Sequence, residues 1–175
     1  MSKQRHFYTI ITPYTSFTGR VMDISSIDEG TTFKADSSCK QDARGVSVIS
    51  FYGDPLDTLI KYESLWETNK QNMAVYEIFP IGSALPFKED SLFKMYAAPS
   101  IKIVKYINLE TLVERFKMGY RNYFYNIEYL NKMCNKFPES IILQNLCGWA
   151  KLQRARRQNQ NKFAKNRNQK FGTYR

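Results

Sequence analysis

Two kinds of hydrophobic pattern follow one another along this chain, and the change between them divides it. Up to about residue 107 the apolar residues come in short β-branched and aromatic runs closed by Gly or Pro, the mark of strands. HFYTIIT (6–12) predicts a strand stopped by Pro13, and GTTFKA (30–35) a weaker one. GVSVISFY (45–52) predicts a strong strand, opened by Gly45 and closed by Gly53. NMAVYEIF (72–79) predicts the next. In PSIKIVKYI (99–107), Ile101, Ile103, Lys105 and Ile107 alternate with Lys102, Val104 and Tyr106, which predicts one buried face. A helix lies among these strands. Asp54 caps it, Pro55 takes the first helical position and Asp57 stands in the first turn, where a carboxylate suits the dipole. Leu56, Leu59, Ile60 and Tyr62 or Glu63 follow at helical spacing. DSLFKMYA (90–97) reads as a second, short helix ended by Pro99.

From Asn108 the period becomes helical. Asn108 caps NLETLVERFK, Gly119 interrupts that helix, and GYRNYFYNIEYLNKMCNK resumes it. Pro138 breaks the chain before ESIILQNLCGWAKLQ, whose apolar stripe is Ile142, Leu146, Trp149 and Ala150. The helix continues through LQRARR. Beyond it, QNQNKFAKNRNQKF offers a core only Phe163, Ala164 and Phe171. No internal repeat is visible. The expected fold class is α+β: a small β-rich domain over 1–107 with one or two helices, a helical region over 108–153 packed on it, and a basic arm over 154–175.

Charge sharpens this division. Residues 151–175 hold nine of the 26 Lys and Arg and none of the 16 Asp and Glu, which leaves 17 basic residues against 16 acidic ones in positions 1–150. The body is nearly neutral, and almost the whole net charge of +10 sits in the arm. The basic N-terminus carries too short an apolar run for a secretory signal, and no stretch approaches a membrane span. Cys39, Cys134 and Cys147 are odd in number and fit neither a zinc spacing nor a disulfide framework. They read as buried free thiols of a reducing compartment. The expected location is cytoplasmic, with association to a virion as a further expectation.

The arm carries the candidate chemistry. Lys151, Arg154, Arg156, Arg157, Lys162, Lys165, Arg167 and Lys170 would neutralise phosphates and release counterions, while Phe163 and Phe171 would stack on unpaired bases. The helix read over 119–136 adds a second constellation. At 100° per residue, Tyr120, Tyr123, Phe124, Ile127 and Cys134 fall on a core face. Arg121, Tyr125, Tyr129 and Lys132 fall opposite, where tyrosines among cations suit stacking and phosphate contact. The partners this implies are nucleic acid, single-stranded or structured, or an acidic protein surface, within a larger assembly and without a membrane. Enzyme signals are thin. The one histidine, His6, has no Ser, Cys or acid tied to it by spacing, and the acids are scattered. No catalytic residue, metal ligand set or cofactor is assigned.

GVSVISFYGDPLDTLIKY, then AVYEIFPIG, then APSIKIVKYI, resembles over residues 7–107 a phage and bacterial domain family of unknown function. Gly45, Pro55, Asp57, Glu77, Gly82, Ala97, Ala98 and Ile101 to Ile107 match its order. Ser47 stands where that family usually has His, so no role of that His carries over. The resemblance implies viral or phage company. The same order is more faintly similar to an ADP-ribosyltransferase core, which would cast Glu77 as the acid, Tyr52 or Ser50 in the nicotinamide pocket and His6 at the ribose. That core usually carries a paired-acid motif, which is missing here. The expected function is a non-enzymatic binding protein, viral or phage-derived, docking on nucleic acid or a nucleoprotein assembly through the arm. The alternatives are a small ADP-ribosyltransferase-like enzyme on nucleotides and a host-directed protein that binds an acidic partner.

Overall fold

In the computed structural model, which describes residues 5–12, 27–69, 72–88, 93–121 and 127–171, the chain is mixed α and β and divides into two compact units, Met1–Asn122 and Tyr123–Arg175. The first is built on seven strands: β1 (Phe7–Ile11), β2 (Thr32–Lys34), β3 (Ile49–Tyr52), β4 (Ala74–Ile81), β5 (Leu85–Phe87), β6 (Met95–Ala98) and β7 (Ser100–Ile107). They form one antiparallel sheet in the order β2-β7-β4-β1-β3-β6-β5. One face buries Phe7, Ile11, Phe51, Ile78, Ile101 and Ile103. The other carries Tyr8 and Glu77 and receives helix α2 (Leu109–Arg121), which packs beside helix α1 (Pro55–Asn69).

Local signals set both helix starts. Asp54 accepts the Leu56 N–H at 2.7 Å, and Asn108 accepts the Thr111 N–H at 2.8 Å. Leu56, Leu59, Leu112 and Phe116 are fully buried, and burying Phe116 contributes about 2–3 kcal/mol. Asp57 has a second use beside the helix dipole. It is buried and accepts the Lys94 N–H at 3.1 Å, fixing the chain just before β6.

Four local expectations give way to the structure. The short helix expected at 90–97 gives way to strand β6 from Met95, because Met95 to Ala98 take the free edge of β3 in register Phe51↔Tyr96; Phe93 and Lys94 are in neither helix nor strand, and residues 90–92 lie outside the described residues. Strand 45–52 starts only at Ile49. Gly45, at φ 77°, sits in a turn closed by the Asp42 carbonyl and carboxylate, and Gln41 bridges to Ser47. Gly119 does not interrupt α2: one glycine costs a helix about 1 kcal/mol, less than the buried Leu112 and Phe116 face supplies. The alternation in β7 is broken by a bulge, since Ile103 faces Ile78 while Lys105 faces the adjacent Glu77. Ile101 and Ile103 therefore point to one face of the sheet, and Lys105 and Ile107 to the other.

The second unit is a pair of packed helices, α3 (Ile127–Lys136) and α4 (Ile141–Phe171), joined by a bend in which Ser140 Oγ accepts the Leu143 N–H at 3.1 Å. Of the resumed helix expected from Gly119, residues 119–121 belong to α2 and 127–136 to α3, and residues 122–126 lie outside the described residues. Leu130, Met133 and Cys134 pack with Leu143, Leu146, Cys147 and Ala150. The stripe on α4 is turned from the expected one: Leu143 and Cys147 are at its centre, and Ile142 and Trp149 are half-buried on its flank. Cys134 and Cys147 form a disulfide between the helices, with Cα atoms 7.0 Å apart. This overturns the reading of both as free thiols. The bend folds α4 back along α3 and brings together two cysteines that no sequence spacing marked. It also removes the cysteine argument for a reducing compartment. Among the described residues no helix is long and apolar enough to cross a membrane.

Candidate functional site

The hydrophobic stripe of α4 ends at Ala150, but the helix does not. It runs on to Phe171, about 31 Å further at 1.5 Å per residue. Over 151–167 every side chain is exposed except Gln153, which is half-buried. The residues expected to be an arm are thus a projecting helical rod. Ala155, Gln158 and Gln160 suit a helix, and the cations near its C-terminal end suit the macrodipole. α4 contains no Asp or Glu, so no cation on it is neutralised from within the helix.

Lys151, Arg154, Arg156, Arg157, Lys162, Phe163, Lys165 and Arg167 are all brought onto this exposed rod, with Phe163 at 76% exposure. Lys170 and Phe171 belong to its last turn, and their side chains lie outside the description. At 100° per residue, Lys151, Arg154, Lys162 and Lys165 fall within an arc of about 80°. Arg156 and Arg167 lie on the opposite side, and Arg157 stands between the two groups. The helix also exposes a recurrence missed in the sequence: Lys151/Lys162, Leu152/Phe163, Arg154/Lys165 and Arg156/Arg167 are each eleven residues apart, about three turns. The second expected constellation is divided. Arg121 ends α2 in the first unit, with its side chain outside the description, whereas Tyr129, half-buried, and Lys132, exposed, are on α3 in the second. Tyr125 lies outside the described residues.

The first unit holds a polar centre that spacing did not reveal. Strand register places Lys105, Glu77, Tyr8 and Tyr52 in one row across β7, β4, β1 and β3. Glu77 Oε1 pairs with His6 Nδ1. Its Oε2 accepts from Arg115 at 2.9 Å and faces Lys105 Nζ at 3.9 Å. Arg115 also donates to the Tyr8 hydroxyl at 2.9 Å. Burial pushes Glu77 up, but the hydrogen bonds from His6 and Arg115 and the charges behind them prevail and hold the carboxyl below its ordinary value. Burial likewise raises the Tyr8 phenol, against the pull of Arg115. A carboxylate with one oxygen on an imidazole and the other held by Arg115 and Lys105 makes a poor base and a good anchor: this network ties α2 to the sheet. His6, read as isolated, gains an acid partner only through the pairing of β1 with β4.

The chain matches no family model, no curated protein and no solved structure. Among the described residues no group of three or more His, Cys, Asp or Glu is placed to hold a metal ion.

Proposed function

We propose that this is a non-enzymatic binding protein that docks on nucleic acid through the part of α4 that follows Ala150, within a nucleoprotein or virion assembly. One observation carries the reading: over 151–167 the helix exposes seven Lys or Arg and carries no acid. Closely spaced cations with no acid in their own helix gain most from closely spaced phosphates, by releasing condensed counterions. The resemblance of residues 7–107 to a phage and bacterial family supports viral or phage company. The engagement of both Glu77 oxygens speaks against that residue as a catalytic acid and so favours binding over transfer chemistry.

Purification at low salt tests it. The protein is expected to carry a raised ratio of absorbance at 260 nm to that at 280 nm, which nuclease treatment abolishes. If the ratio is that of protein alone, and a synthetic acidic polypeptide binds as tightly as nucleic acid, the rod serves an acidic protein partner and the proposal fails.

A further inference from the structure

The cations of the projecting helix encircle it, and that distribution constrains the surface they meet. A flat acidic protein face touches one arc of a helix and leaves the opposite arc in solvent. Lys151, Arg154, Lys162 and Lys165 occupy one arc, but Arg156 and Arg167 occupy the far one, and all six are exposed. A membrane surface is disfavoured for a related reason, because it requires apolar residues gathered on one side, whereas Leu152 and Phe163 share their side of the helix with Arg156 and Arg167. Two walls of negative charge on either side of the helix satisfy the pattern.

We infer that residues 151–171 of α4 enter the major groove of double-stranded DNA, an inference that rests on the nucleic-acid reading above and names its partner. The B-form major groove is about 12 Å wide and admits an α-helix of about 10–12 Å diameter between two phosphate rows. The A-form RNA major groove is too narrow for one. The side chains between the cations fit the groove floor. At 100° per residue Asn159, Leu152 and Phe163 lie between the two cationic arcs, where Asn159 matches the paired donor and acceptor of adenine and Leu152 and Phe163 match the thymine methyl. Over 151–167 no side chain is buried, and Lys151–Arg154 and Lys162–Lys165 repel at i,i+3. Phosphates along both sides relieve that repulsion and favour the helix.

The test uses the full chain with a mixed-sequence DNA duplex, the matching RNA duplex and one DNA strand, by fluorescence anisotropy over a salt series. The DNA duplex is expected to bind about tenfold tighter than either, from the fit of its groove. Changing Lys151, Arg154, Lys162 and Lys165 to Gln is expected to flatten the slope of log affinity against log salt by about 3.6, and changing Arg156 and Arg167 to Gln by about 1.8, at about 0.9 counterions per contact. Dimethyl sulfate probing of the unmutated complex is expected to protect guanine N7, in the major groove, and not adenine N3, in the minor. If one set leaves the slope unchanged, or adenine N3 alone is protected, or the RNA duplex or single strand binds as tightly as the DNA duplex, the groove inference is overturned while the nucleic-acid reading stands. If none of the three binds, both fall.

Discussion

Replacing Arg115 by Met tests whether the Glu77 network holds α2 on the sheet. The change removes a guanidinium that is 20% exposed and donates at 2.9 Å to both Glu77 and Tyr8, and it keeps most of the side-chain volume. Glu77 is 10% exposed and would retain His6 and Lys105. Breaking one partner of a buried pair costs about 3–5 kcal/mol, and the partners that remain place the expected loss near the lower end, about 3 kcal/mol. For a domain of this size that is a fall of roughly 10 °C in Tm, read by circular dichroism at pH 7. Glu77→Gln together with Arg115→Met should cost less than the sum of the two single changes, with a coupling of about 2 kcal/mol. The pH dependence has a definite sign. The native carboxyl of Glu77 is held below its ordinary value, so its contribution is fully present above the unfolded carboxylate pKa of about 4.3 and is lost as pH falls through the lower native one. The gap between parent and Arg115→Met should therefore narrow on acidification. A change within about 0.5 kcal/mol at pH 7, the ordinary range for a surface substitution, would refute the claim that this network anchors the helix.

Gly53→Ala should destabilise the first unit by about 1–3 kcal/mol in urea unfolding, because a Cβ there would stand 2.5 Å from the Tyr96 ring. Cys147→Ser should lower the stability of the second unit by about 2–4 kcal/mol, and thiol alkylation without reductant should label Cys39 but neither Cys134 nor Cys147. A chain ending at Gln153 should unfold cooperatively within about 0.5 kcal/mol of the full chain, since no residue between 151 and 167 is buried. Amide exchange over 152–167 should be fast in the free protein and slow when nucleic acid binds, because no side chain in that stretch is buried.

The sequence by itself determined what ten neighbouring residues can decide. β-branched runs and alternation located β1, β3, β4 and β7, the Asp54-Pro55 and Asn108 caps located the starts of α1 and α2, and charge alone marked 151–175 as the cationic end. Those are local properties, set by side-chain period, capping geometry and composition. Only the tertiary structure decided the rest. Met95–Ala98 is a strand because the edge of β3 is there to pair with, although its local pattern also suits a helix. The bulge opposite Glu77 sends Ile103 and Ile107 to different faces, and a strictly alternating sequence cannot show it. Cys134 and Cys147 meet because the bend lays α4 along α3. His6 and Glu77 are 71 residues apart, and Arg115 is a further 38 beyond Glu77. Their contact depends on strand order and on where α2 lands, and no spacing along the chain encodes either. The reach of the cationic helix is of the same kind: composition disclosed its charge, but only the continuous turn of α4 places those charges around a single rod.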